Sequence, residues 1–235
     1  MNVISIQKKF IFIHVPKTGG NSLQKVLKVY SEDVLTTNGK YQDGIERFGV
    51  TNVKYKTKKH SPLSYYYSVM EKNLFRQLFK FAIIRNPWER MISLYFSAHR
   101  GSKIKWNRNK FIELVFGAKP LRHFICLNND SRNKFIELVY RAKPLRHFIN
   151  KQFCNKQNSK SLDNDIDFLI RYERLNDDFE KVCKILDISP KSLKVLNQSR
   201  REHYSMYYDD NLVDLIKRKF REEIIYGKYQ FQKNN

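Results

Sequence analysis

A lysine, two glycines and a serine lie close together near the start of the chain, in the run Lys17-Thr18-Gly19-Gly20-Asn21-Ser22. Two adjacent glycines let the backbone curl so that successive N–H groups converge, and a helix that starts there adds its positive dipole end. Lys17 supplies a full positive charge, and the threonine, asparagine and serine side chains can donate hydrogen bonds to an anion. The run therefore predicts a binding site for phosphate or sulfate.

A strand and a helix are predicted on either side of this run. The segment from Phe10 to Val15 is rich in β-branched and aromatic residues and has the length of a strand. After the glycines, apolar residues recur at helical spacing, namely Leu23, Val26, Leu27 and Tyr30. Because Lys17 precedes the glycines, the P-loop pattern G-x-x-x-x-G-K-[ST] is not met, which disfavours an ordinary kinase or ATPase.

A second strand followed by a helix is predicted further along the chain. The strand, Leu78 to Ile84, ends at Arg85, after which Asn86 can cap a helix and Pro87 can occupy its first turn. Ser93 lies off the apolar face of that helix. Arg85 offers a bidentate fork and Ser93 a hydroxyl, so that together they could grip a phosphate. On residue types alone, a strand–helix junction without a ligand is the commoner explanation.

One segment of the chain is duplicated in tandem. Residues 108–125, RNKFIELVFGAKPLRHFI, recur as residues 132–149, RNKFIELVYRAKPLRHFI. Each copy has an apolar stripe at helical spacing that stops at a proline, and two copies are too few for a solenoid. We expect a single domain over residues 1–235 with a helical, near-surface insertion at 108–149. The repeated Lys-Pro-Leu-Arg-His could alternatively form a basic contact for an acidic acceptor.

The chain is strongly basic. Its 235 residues include 45 Lys plus Arg against 23 Asp plus Glu, which gives a formal net charge of +22. The hydrophobic content of 41% excludes an intrinsically disordered chain. A positive field of this size would attract nucleic acid, an anionic nucleotide, an acidic polymer or an anionic membrane surface, and charge alone does not choose among them.

Membrane and metal signals are weak in the sequence. The apolar runs are only a few residues long, so no membrane span is expected, and the first residues do not follow a signal-peptide pattern. The three cysteines, Cys126, Cys154 and Cys183, are widely spaced and lack the pairing of a zinc site. The cysteines are predicted to be reduced thiols in a cytoplasmic protein. Cys183 is expected in a helix core, and no metal is expected.

Two segments resemble a known family. The string from Phe12 to Leu23 closely resembles the 5′-phosphosulfate loop of sulfotransferases that use 3′-phosphoadenosine 5′-phosphosulfate (PAPS), in the carbohydrate-sulfotransferase branch. The stretch from Arg85 to Tyr95 is similar to the 3′-phosphate motif of that family. Later segments, from Phe168 to Phe231, also resemble this branch, so the resemblance covers nearly the whole chain. The chain departs from the family at Asn21, where Thr is usual, and in carrying the second copy of the duplicated segment.

The resemblance implies both a fold and a reaction. The fold is α/β, P-loop-NTPase-like, with three layers in which helices flank a central parallel sheet. The reaction is in-line transfer of a sulfuryl group from PAPS to a hydroxyl of a carbohydrate, which can be an oligosaccharide, a polysaccharide or a glycolipid. The basic surface favours an acidic glycan as acceptor. The resemblance assigns nucleotide binding to Lys17, Thr18, Gly19, Gly20, Asn21, Ser22, Arg85, Ser93 and Arg200. The loop from Asn197 to Arg201 is expected to close over the nucleotide with Arg200 or Arg201 near a phosphate, unless it is only a solvated basic loop.

The expected catalytic residues are Lys17 and His60. Lys17 would stabilise the leaving oxygen, and His60 lies in the context Lys59-His60-Ser61-Pro62, which resembles the family segment that carries the catalytic histidine. An imidazole suits proton abstraction near neutral pH. Glu89, Glu173 and His203 are weaker candidates for the base. No metal is required by this chemistry.

Other functions stay open on the sequence. A nucleotide-dependent kinase of related fold would need ATP and magnesium. A nucleic-acid-binding protein would use the positive charge together with stacking by tyrosine and phenylalanine. A family member that binds PAPS without turnover is a third possibility. Because it shows no anchor, the chain resembles bacterial or viral cytoplasmic members of the family. No nucleic-acid partner and no membrane span are expected.

Overall fold

The computed structural model describes residues 3–32, 34–40, 46–51, 54–57, 60–97, 105–127, 165–190, 193 and 201–233. The strands are β1 (Val3–Ser5), β2 (Phe10–Ile13), β3 (Val34–Lys40), β4 (Glu46–Thr51), β5 (Phe79–Ile84) and β6 (Phe168–Arg171). The helices are α1 (Gly20–Leu27), α2 (Leu63–Val69), α3 (Lys72–Gln77), α4 (Pro87–Ser97), α5 (Arg108–Gly117), α6 (Leu121–Ile125), α7 (Leu175–Leu186), α8 (Asp210–Lys219) and α9 (Arg221–Gly227).

Four of the strands form one mostly parallel sheet in the order β1-β2-β5-β6. Strands β2, β5 and β6 run parallel, and β1 pairs antiparallel with β2 at one edge. Strands β3 and β4 form a separate antiparallel pair. Both predicted strand–turn–helix units are present, because β2 is followed by α1 and β5 by α4.

Alternate residues of the sheet pack into two different hydrophobic clusters. Ile11 and Ile13 of β2 pack with residues of α2, α3 and α6. Phe10 and Phe12 of the same strand pack with residues of α1 and α7. Because successive side chains of a strand point to opposite faces, the two clusters lie on the two sides of the sheet. The structure therefore confirms the α/β class, with helices on both faces.

A third cluster joins α4 to α5 and α8. The apolar stripe predicted for α4 is buried here, including Trp88 and Met91. Phe111 and Val115 of α5 are fully buried in the same cluster. The apolar stripe of the first copy therefore packs against α4, as its helical spacing predicts, while Lys110 and Glu113 on its other side are exposed. The second copy, residues 132–149, lies outside the described residues.

Two of the cysteines are buried. Cys183 lies on α7 and is buried in the core beside α1, as its position on an apolar stripe predicts. Burial raises the pKa of Cys183 and that of Cys126 to about 11, so both thiols are protonated near neutral pH. Cys154 is outside the described residues.

Among the helices that the structure describes, none is long and apolar enough to cross a membrane.

A buried ion pair connects three parts of the chain. Arg90 of α4 lies 3.5 Å from Glu223 of α9, measured from Nη1 to Oε1, and both side chains are 4% exposed. Arg90 also donates to the carbonyls of Pro16 and Lys119, at 3.1 and 2.9 Å. Burial lowers the pKa of Arg90 and raises that of Glu223, and their mutual attraction opposes both shifts. The pair links α4 and α9 to the residue that precedes Lys17.

Removing the charge of Glu223 is expected to destabilise the protein strongly. Glu223→Gln leaves the buried guanidinium of Arg90 without its counter-charge, which typically costs about 3–5 kcal/mol. The neighbouring Glu222 is a matched control, because it pairs with Arg122 at an exposed site and Glu222→Gln should cost less than about 1 kcal/mol. Urea unfolding of both variants measures the difference. Equal losses of unfolding free energy would contradict this role for the buried pair.

Candidate active site

The two predicted motifs meet at one edge of the sheet. Since β2, β5 and β6 are parallel, their carboxyl ends lie at the same edge, which is where ligands bind in open α/β sheets. The run that begins at Lys17 follows β2, Arg85 follows β5 directly, and Tyr172 follows β6 directly. Side chains distant in sequence are thereby brought together.

The backbone of the loop after β2 curls as the glycines predict. Gly19 has a φ of 88°, and α1 begins at the next residue. Lys17 has a φ of 67°, a conformation that usually costs a non-glycine residue about 1–2 kcal/mol. Arg85 stabilises this turn, because its Nη1 donates to the Lys17 carbonyl at 3.0 Å. Lys17 is therefore held in this conformation by Arg85, which belongs to the second predicted strand–helix unit.

The side chains of the loop differ in exposure. Thr18 and Ser22 are buried, whereas Lys17 and Asn21 are half-buried. The Thr18 hydroxyl donates to the carbonyl of Val15 at 2.9 Å, and this hydrogen bond joins the start of the loop to the end of the strand before it. The Ser22 backbone N–H donates to the Gly19 carbonyl at 3.0 Å and starts the helix.

The two glycines are required by neighbouring rings. A Cβ on Gly20 would overlap the imidazole of His14, and a Cβ on Gly19 would lie 2.7 Å from the Tyr172 ring. His14 is buried directly after β2 and stacks on Phe12. From the sequence, His14 is expected either to fill the strand or to support the residues of the site. Its ring packs against Gly20 and so supports the loop.

His60 lies beside His14 at this edge. Its Nδ1 is 2.8 Å from the His14 carbonyl oxygen, and the two rings meet edge to face at 4.8 Å. Because a carbonyl can only accept, Nδ1 must carry the hydrogen, which leaves a lone pair on Nε2 when the ring is neutral. That tautomer is the one a general base needs. His60 precedes α2, as its Ser-Pro context predicts.

Arg85 is bound on three sides. In addition to the Lys17 carbonyl, its guanidinium donates from Nη2 to Glu89 Oε1 at 2.7 Å and lies 4.0 Å from the centre of the Tyr172 ring. Glu89 Oε1 also accepts from Nη2 of Arg201. The side chains of Arg85 and Arg201 are each 10% exposed. Two guanidinium groups thus converge on one carboxylate oxygen.

The helix that carries Glu89 begins as predicted. The Asn86 side chain accepts from the backbone N–H groups of Trp88 and Glu89, at 3.0 and 3.3 Å, and Pro87 is the first helical residue.

Ser93 lies further along the same helix and is half-buried. Arg200 is outside the described residues. Its neighbour Arg201, the alternative expected near a phosphate, is described and donates to Glu89.

The weaker candidates for the base are engaged in structural contacts. Glu173 accepts from the Asn86 backbone N–H and from the Tyr229 hydroxyl, both at 2.9 Å. Burial and the Glu173 charge raise the pKa of Tyr229, so its hydroxyl keeps its hydrogen. Nδ1 of His203 lies 2.9 Å from the Ser205 hydroxyl at the start of a short helical turn. Glu89 is held between the two arginines.

The comparison with known proteins identifies the family. A family model described as the sulfotransferase family matches residues 2–225, a range that includes both motifs, His60 and Arg201. The chain therefore belongs to the sulfotransferase family, and the resemblance to that family is confirmed. Neither the curated proteins nor the solved structures gave a match. Among the described residues, no group of three or more His, Cys, Asp or Glu side chains could hold a metal ion.

Adding a methyl group at Gly20 is expected to destabilise the loop. Gly20→Ala forces the His14 ring or the loop to move, and overpacking of this kind typically costs about 1–3 kcal/mol. Gly117→Ala is the matched control, because it also lies at a helix end but has open space around its Cβ position. Thermal unfolding should therefore separate the two variants. A Gly20→Ala protein as stable as Gly117→Ala would show that the ring contact is not tight.

Proposed function

We propose that this sulfotransferase takes its sulfuryl group from PAPS and transfers it to a hydroxyl of a carbohydrate. The observation that carries the proposal is a pair of buried cationic donors. Arg85 Nε and Arg201 Nη1 are buried and have no hydrogen-bond partner within the part of the chain that the structure describes. A buried donor without a partner is costly. A phosphate group would satisfy both donors, as the 3′-phosphate of PAPS can.

The phosphosulfate end of PAPS fits the loop after β2. In this proposal the N-terminus of α1 and the curled backbone from Lys17 to Ser22 bind the 5′-phosphate, with Thr18 shaping the loop. Arg85, Arg201 and Ser93 bind the 3′-phosphate. Arg200 stays part of the proposed site as the neighbour of Arg201.

His60 and Lys17 carry the proposed chemistry. Nε2 of His60 accepts the proton of the acceptor hydroxyl, whose oxygen then forms a bond to sulfur as the bond from sulfur to the 5′-phosphate oxygen breaks. Lys17 neutralises the negative charge that develops on the departing oxygen. The products are the sulfate ester, adenosine 3′,5′-bisphosphate and a proton held by His60. Neither step requires a metal ion.

Three broader assignments belong to the same proposal. The loop between β2 and α1 supports a P-loop-NTPase-like fold. We assign residues 1–235 to one sulfotransferase domain that carries the duplication at 108–149. The net charge of +22 favours an acidic glycan as the acceptor.

The role of His60 is tested by separating turnover from binding. His60→Gln should lower sulfuryl transfer to a carbohydrate acceptor by about 100- to 10,000-fold, because the base is lost. Its dissociation constant for adenosine 3′,5′-bisphosphate, measured by isothermal titration, should stay close to that of the wild type.

His203→Gln is the control for this experiment, since His203 is an exposed histidine with a structural contact. It should retain transfer. Loss of transfer in His203→Gln with full activity in His60→Gln would reverse the assignment of the base. A wild-type protein that binds no adenosine 3′,5′-bisphosphate would contradict the proposed donor.

A further inference from the structure

We propose that Glu89 is a positioning residue that makes the site select a nucleotide with a 3′-phosphate. The inference rests on the proposed function, because it assumes that the nucleotide binds at Arg85 and Arg201. It goes further in assigning a role to a carboxylate at a site for an anion. A negative charge there would be expected to weaken binding unless it organises the positive groups.

The contacts of Glu89 support an organising role. A single oxygen, Oε1, accepts from Nη2 of Arg85 and from Nη2 of Arg201. Arg85 follows β5 directly, whereas Arg201 belongs to a segment much later in the chain. The Glu89 backbone is itself fixed, because its N–H is bound by the Asn86 cap. Glu89 therefore sets the relative position of two arginines that no shared secondary-structure element connects.

The same contacts leave one donor of each arginine without a protein partner in the described part of the chain. The two Nη atoms of Arg85 are bound to protein oxygens and its face lies over Tyr172, but Nε has no partner in the described part of the chain. Arg201 binds Glu89 through Nη2, and its Nη1 likewise has no partner in the described part of the chain. A phosphate can accept from both remaining donors while the carboxylate stays in place.

Charge explains why the arginines need Glu89. Two guanidinium groups that are each nine-tenths buried repel one another when no anion lies between them. With the carboxylate present, the cluster has a net charge of about +1 and still attracts a phosphate. Without the carboxylate, the two side chains are expected to move apart, and the donors no longer face the same ligand.

The test compares two nucleotides in one variant. Isothermal titration gives the dissociation constants of wild type and Glu89→Gln for adenosine 3′,5′-bisphosphate and for adenosine 5′-monophosphate, which lacks the 3′-phosphate. The wild type should prefer the bisphosphate. In Glu89→Gln this preference should fall by about tenfold or more. A change of that size corresponds to the loss of one charge-assisted hydrogen bond between an arginine and the 3′-phosphate. The affinity for the monophosphate should change little.

Two further variants complete the design. Glu180→Gln is the matched control, because Glu180 is an exposed helical glutamate that also pairs with a cation four residues away, and it should keep the wild-type preference. Glu89→Asp keeps the charge on a shorter side chain and should give a preference between those of wild type and Glu89→Gln. Any other order overturns the proposal.

The remaining outcomes are distinct. An unchanged preference in Glu89→Gln, or an equal loss of affinity for both nucleotides, would show a merely structural residue and overturn the inference. Tighter binding of the bisphosphate would also overturn it, because Glu89 would then compete with the phosphate. A wild type that binds neither nucleotide contradicts the proposed function itself, and the inference falls with it.

Discussion

The guanidinium of Arg85 joins the segments that follow three parallel strands. It donates to the backbone of the loop after β2, pairs with a carboxylate on the helix after β5, and stacks on the tyrosine after β6. Each contact uses a different side of the same planar group, which only arginine offers. Arg85 holds the strained backbone at Lys17, and it shares the Glu89 oxygen with Arg201. The candidate site is thus assembled around one side chain.

Much of this site could be predicted because its parts are local in sequence. The strand, the glycine turn and α1 are contiguous, and so are β5, the Asn86 cap and α4. Hydrophobic periodicity and capping chemistry act over a few residues, so a single sequence contains enough information to find them. The pairing of the two units into one parallel sheet also follows from their repeated strand–helix order.

Other parts could not be predicted because they depend on contacts between distant residues. The packing of His14 under Gly20 and the meeting of Arg201 with Glu89 bring together residues whose local patterns are unremarkable. The duplicated segment could be predicted only in part. The helix and its apolar stripe follow from the spacing within one copy, but no local pattern shows that Phe111 and Val115 of the first copy pack against α4.

The buried Arg90 connects that first copy to the site. Its guanidinium binds the carbonyl of Pro16, next to the strained Lys17, and the carbonyl of Lys119, between α5 and α6. Glu223 completes the link, since it accepts from the backbone N–H of Leu121 at 2.7 Å. The loop after β2 is therefore bound by Arg85 at the Lys17 carbonyl and by Arg90 at the Pro16 carbonyl. Such support suits the in-line transfer proposed for this site.

The most direct test of the proposed donor site is a crystal structure of the protein with adenosine 3′,5′-bisphosphate. The 5′-phosphate is predicted to lie at the start of α1 within the loop that begins at Lys17. The 3′-phosphate is predicted to accept hydrogen bonds from Arg85 Nε and Arg201 Nη1, with Glu89 still between the two arginines. A nucleotide bound elsewhere, or a 3′-phosphate away from both arginines, would contradict the account.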